Sequence, residues 1–126
     1  MELNMNNKRH EKELPDVIIK RKWQYHHLGI PTTEVKENEI YIPSMKFYVS
    51  GFSTSPYGIE WMRFLDDSPV NPLIKKVPHL AFVVPDIQEA VKGEEVICEP
   101  YEPMTGIIVA MIVSDGAPVE LMEIHE

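Results

Sequence analysis

The sequence holds a single cysteine, Cys98, so no disulfide can form within the chain and a stapled secreted scaffold is excluded. One free thiol agrees with a reducing compartment, and its neighbours Val96 and Ile97 make it a half-buried strand residue. No apolar run approaches the roughly 20 residues of a membrane-spanning helix, and the first twenty residues hold no signal-peptide stretch; a cytoplasmic protein without a membrane partner is expected. Basic residues are outnumbered, 12 Lys and Arg against 20 Asp and Glu, for a formal net charge of −8. Non-specific nucleic-acid binding needs a basic face and is therefore not expected. A small anionic ligand remains open, because one bound metal ion or arginine reverses the local sign.

What is present fits one domain. The 126 residues are 44% hydrophobic and 25% charged, which supports a real core. Residues 1–21 read as a flexible N-terminal leader, with Lys8, Arg9, Lys12, Lys20 and Arg21 as solvated charges. Residues 22–126 read as one domain of two modules, approximately 22–65 and 77–126. His27-Leu28-Gly29-Ile30 and His79-Leu80-Ala81-Phe82 share the order histidine, large apolar, tiny, large apolar, 52 positions apart. Downstream, Ile59-Glu60-Trp61-Met62 matches Val119-Glu120-Leu121-Met122, 60 positions apart. Such echoes are the mark of a duplicated unit.

Strands are expected from Trp23 to Ile30, Met45 to Val49 and Ile59 to Leu65, with a loop or short helical turn over Thr32 to Ser44. Asp66 to Lys76, with Pro69 and Pro72, reads as the linker between modules. The second module reads as a strand over Val77 to Val84, a helix capped by Asp86 and closed by Gly93, and a strand over Glu95 to Glu99. A proline-rich turn through Pro100 and Pro103 follows. Ile107 to Val113 is then an unbroken apolar strand, Asp115-Gly116 a tight hairpin, and Val119 to Ile124 the returning strand.

Strand alternation sets His27, Gly29, His79 and Ala81 on one face, with Leu28, Ile30, Leu80 and Phe82 on the other, which a helix must cover. Glu60 and Glu120 share a face with Met62, Phe64, Met122 and Ile124; Trp61 and Arg63 fall on the helix side, where packing is their role. A carboxylate among Met, Phe and Ile is costly to bury unless a charge meets it, and would have a raised pKa. A lone strand histidine is ordinarily a hydrogen-bonded core or edge residue, and a lone glutamate in a terminal strand is ordinarily exposed. The duplication changes that balance: two histidines and two carboxylates from four strands are a sufficient set for a divalent metal. His26 has no counterpart, since Pro78 holds the matching place, and is read as a surface or supporting residue; His10 and His125 are read as solvent-exposed.

The pairing of H-L-G-I with H-L-A-F, followed by late E-W-M and E-L-M strands, resembles the vicinal oxygen chelate superfamily of glyoxalases, epimerases, extradiol dioxygenases and bleomycin-resistance proteins. The likeness runs from about Trp23 to Ile124. It implies an α+β fold of two βαβββ modules whose sheets curl around a metal, with His27, Glu60, His79 and Glu120 as ligands and Glu120, or else Glu60, as the base. The ion would be zinc, nickel, cobalt, manganese or iron, and a homodimer is expected. Two classes follow from the resemblance, with a third beside them. The first is a glyoxalase-like lyase or epimerase moving a proton next to a carbonyl of a small-molecule substrate. The second is a ligand-sequestering module without chemistry; the third is a ring-cleaving dioxygenase, which requires Glu60 not to bind.

Overall fold

The computed structural model describes residues 9–126. One eight-stranded mixed sheet holds almost all of the regular structure: β1 (Gln24–Pro31), β2 (Ile40–Ile42), β3 (Phe47–Ser50), β4 (Ile59–Phe64), β5 (His79–Val83), β6 (Glu95–Met104), β7 (Ile107–Ser114) and β8 (Ala117–Ile124). Among the described residues three short α-helices accompany it, α1 (Asp16–Ile19), α2 (Pro72–Lys76) and α3 (Ile87–Ala90), with a 3-10 turn at Phe52–Thr54. The strand order is β2-β3-β4-β1-β5-β8-β7-β6. Read outward from the centre, each half runs first strand, last strand, third, second, so the two modules meet along β1 and β5. That seam is antiparallel, whereas β1 with β4 and β5 with β8 are parallel. The result is the expected α+β architecture, with the modules paired within one chain.

The second module folds as its sequence suggests. Asp86 accepts hydrogen bonds from the backbone N–H groups of Gln88 and Glu89, satisfying two of the free donors that open α3. Ile87 and Ala90 then pack onto Trp23, Val84, Ala110, Ile112 and Leu121, the principal core, on the outer face of the sheet. Asp115 and Gly116 both have positive φ, 51° and 81°, the turn whose twist matches a two-residue hairpin.

Three elements differ from expectation. Residues 32–44 include a strand, β2, too short to register as a hydrophobic period. The linker contains α2, capped by the Asn71 side chain and started by Pro72. The proline-rich turn at Pro100 and Pro103 is instead the second half of β6. Prolines are tolerated there because β6 is an edge strand and its ladder with β7 slips three times, at Val96/Cys98, Cys98/Tyr101 and Tyr101/Met104.

Where the first module would carry its helix, residues 32–39 form a loop that roofs the sheet with charge. Lys36 lies 4.4 Å above the Trp61 ring, and Glu39 grips Arg63 with two 2.8 Å hydrogen bonds while Arg63 covers Tyr48 at 4.3 Å. Trp61 and Arg63 thus stand on the outer face, as parity predicts. Within the arm expected over residues 1–21, α1 sets Val17 against the main core; residues 1–8 lie outside the described residues. No helix among the described residues is long and apolar enough to cross a membrane.

Candidate metal centre

The central seam generates the site through its register. Gly29 of β1 stands between Glu60 of β4 and His79 of β5; one row away, Ala81 of β5 stands between His27 of β1 and Glu120 of β8. Each row therefore reads histidine or glutamate, tiny residue, histidine or glutamate, and the four larger side chains rise on one face around two small ones. Gly29 cannot be larger: a Cβ there would meet His79 Nε2 at 2.5 Å and Nδ1 at 2.9 Å. The His79 ring lies over the glycine.

His27, His79 and Glu120 converge, with one ligand atom from each lying within 4.8 Å of the others. Glu120 Oε1 is 3.0 Å from His79 Nε2 and 3.4 Å from His27 Nε2, and Glu60 Oε2 is 3.6 Å from His27 Nε2. Both imidazoles are buried, at 2% and 1% exposure. His27 Nε2 and His79 Nδ1 have no hydrogen-bond partner. A buried polar nitrogen without a partner is costly, so the group fits best if something else meets it. A divalent ion would meet His27 Nε2: metal–ligand bonds of about 2.1 Å place neighbouring ligand atoms about 3.0–3.4 Å apart, close to the spacings observed. Imidazole and carboxylate together suit zinc, nickel, cobalt, manganese or iron.

Charge is unevenly shared. Burial disfavours an ionised Glu120, but the two imidazoles beside it, His27 and His79, outweigh that and hold its pKa down, to about 2. Burial pushes the Glu60 pKa up, helped by the charge of Glu120 and opposed by the two histidines. The expectation that apolar neighbours raise both carboxylates is therefore corrected for Glu120, whose imidazole contacts dominate. For His27, burial favours the neutral ring, yet the nearby carboxylates of Glu120 and Glu60 prevail and raise its pKa.

A cavity of about 330 Å³ opens over the centre, with His26, His27, Glu60 and Glu120 in a wall that is otherwise mostly apolar and aromatic. A second space of about 110 Å³ lies beside His79 and Glu120, towards α2. Tyr101 borders both, its pKa raised by burial and by the charges of Cys98 and Glu120, so it stays a neutral phenol. Sequence reasoning missed Tyr101 because its flanking prolines suggested a turn. His26, read from the sequence as a surface or supporting residue, lines the cavity. His10 and His125 are exposed, the latter paired with Glu123.

No protein-family model and no curated protein matches the sequence. Solved structures do. A hypothetical protein from Bacillus halodurans C-125 superposes with a TM-score of 0.66 at 22% identity, covering 82% of this chain and 96% of that one. Methylmalonyl-CoA epimerase from Mycobacterium tuberculosis superposes with a TM-score of 0.58 at 19% identity, covering 82% and 89%. At such identities the likeness establishes the fold.

Proposed function

We propose that this chain is a metal-dependent enzyme that moves a proton on the carbon next to a carbonyl of a small molecule, as an epimerase or a glyoxalase-like lyase. The observation that carries this reading is the convergence of His27, His79 and Glu120, with an unpartnered imidazole nitrogen, beside a second carboxylate in a ligand-sized cavity. The fold it shares with methylmalonyl-CoA epimerase supports the same chemistry. His27, His79 and Glu120 would hold the ion. When bound, the ion would supply positive charge to two neighbouring substrate oxygens and ease loss of the adjacent proton.

The remaining work falls to the chain's own side chains. Of the two carboxylates expected as bases, Glu120 is engaged by both imidazoles, whereas Glu60 contacts only His27 among them within ion-pair distance. Glu60 is the freer group, and its raised pKa suits a carboxylate that takes a proton and returns it. Met62, Met122 and the neutral Tyr101 line the same cavity as Glu60. A second reading, a ring-cleaving dioxygenase, is favoured by one feature: two histidines and one carboxylate are the ligand set of non-haem iron oxygenases.

Metal analysis of the purified protein comes first. Solvent deuterium should then enter the α-carbon of 2-oxoaldehyde hemithioacetals or acyl-CoA thioesters in the presence of added metal. Oxygen uptake with iron(II) and a catechol would support the second reading instead. No turnover of any of these, with tight binding of an aromatic ligand by metal-free protein, would leave a sequestering module.

A further inference from the structure

Successive residues of a strand face opposite sides of its sheet, so His26 and His27 ought not to share a wall. They share one because the β1–β5 ladder slips: Tyr25 stands opposite Phe82 and His27 opposite Ala81, two steps along β1 against one along β5. His26 is the extra residue of a β-bulge, a device that re-aims a side chain. It brings His26 Nδ1 to 2.8 Å from His27 Nδ1, and Phe52 stacks flat on the His26 ring with centroids 4.6 Å apart and planes 9° apart.

Two ring nitrogens at that distance share one proton, so one must donate and the other accept. The atom of His27 that faces the carboxylates of Glu60 and Glu120 is Nε2, which is buried and has no hydrogen-bond partner. To ligate, Nε2 must be bare, and a neutral imidazole bare at Nε2 carries its proton on Nδ1. His27 is then the donor and His26 Nδ1 the acceptor. A neutral His26 accepting at Nδ1 carries its own proton on Nε2.

We propose that His26 is a positioning residue of the metal centre: its Nδ1 accepts from His27 Nδ1–H and fixes the tautomer in which His27 Nε2 binds the ion, while Phe52 holds the His26 ring in place. This rests on the metal reading of the site given above. Partners of this kind commonly orient a ligating histidine, and their loss typically weakens metal binding by about 10–100-fold. Here the partner is the adjacent residue, which only the bulge makes possible.

The test uses the full chain with zinc. Long-range proton–nitrogen NMR of the zinc-loaded protein should find the His27 proton on Nδ1 and the His26 proton on Nε2. His26→Phe keeps a ring against Phe52 but removes the acceptor, and should weaken zinc binding by about 10–100-fold. His26→Asn places an amide oxygen near the position of Nδ1 and should recover most of that loss. Failure of the wild type to bind zinc or cobalt(II) would overturn the metal reading and this inference with it. Zinc binding by the wild type with undiminished affinity in His26→Phe, or with His26 Nδ1 as the donor, would overturn the inference alone. Should His26→Phe not fold, the tautomers of the wild type decide.

Discussion

Gly29→Ala separates the site from the stability of the fold. The backbone at Gly29 lies outside the positive-φ region, so alanine meets no conformational strain there. The obstacle is His79, whose Nε2 and Nδ1 would lie 2.5 and 2.9 Å from the new methyl carbon. Ordinary contacts between such atoms are about 3.5–4.0 Å, so the ring must retreat by about 1 Å. His79 is only 1% exposed, and that displacement has to be taken up by its neighbours. Overpacking of this kind costs about 1–3 kcal/mol. Metal–ligand distances tolerate only about 0.2 Å, so zinc affinity should fall by more than tenfold even in protein that folds. Gly93→Ala is the control: φ is 76° and nothing lies within 4 Å of the added carbon. It should lose about 1–2 kcal/mol to backbone strain and keep its metal affinity. Zinc competition against a chromophoric chelator and urea unfolding of the metal-free protein read the two effects apart. Wild-type zinc affinity in Gly29→Ala would refute the placement of His79 over the glycine.

Glu120→Gln removes the carboxylate that contacts both imidazoles and should weaken metal binding by at least about 100-fold, measured by the same competition. Glu60→Gln should retain most metal binding yet slow α-carbon deuterium exchange by about 10²–10⁴-fold; an unchanged exchange rate would remove Glu60 as the base. Stability of the metal-free protein should vary with pH in a fixed sense. His27, raised when folded, contributes fully below about pH 6.5 and loses its contribution as pH rises through the folded pKa. Glu120, depressed to about 2, contributes above its unfolded pKa and loses its contribution as pH falls towards 2. Of this pair's contribution, the best range is therefore about pH 4.5–6.5, and urea midpoints still climbing between pH 6.5 and 8 in a way that His27→Gln abolishes would contradict the assignment. Ile87→Ala empties a core position on the far side of the sheet and should cost about 2–5 kcal/mol while leaving zinc affinity intact.

The grouping of His27, His79 and Glu120 is legible because these residues lie on strands of the duplicated unit. Period-two alternation fixes the face of His27, His79, Glu60 and Glu120 once the strands are placed, and the 52- and 60-residue echoes place them. What escaped depends on departures from that period. His26 reaches the cavity through a slipped ladder, which alternation would forbid. Tyr101 lies in a strand whose two prolines read as a turn, and only the edge position of β6 tolerates them. Helix α2 is one and a half turns long, below the length at which periodicity speaks. The opposite pKa directions of Glu60 and Glu120 were also out of reach, since both sit among Met and other apolar residues. Distances to the imidazoles, which no pattern encodes, separate them.

The two halves differ at one place on the seam. Gly29 and Ala81 occupy equivalent places at the seam, each in the middle of a three-residue row. Over Gly29 there is room for the His79 ring. At the equivalent place in the other row stands the fully buried methyl group of Ala81. The symmetry of the duplication is therefore broken where the side chains meet: within the second module histidine and glutamate are 3.0 Å apart, and within the first 3.6 Å. Glu120 also reaches across the seam to His27 at 3.4 Å, whereas Glu60 has no matching contact with His79 within 4.0 Å among the described residues. One carboxylate is thereby committed to both imidazoles and the other left with a single contact. Two glutamates at equivalent places in the halves thus meet different surroundings, Glu120 beside two imidazoles and Glu60 beside one.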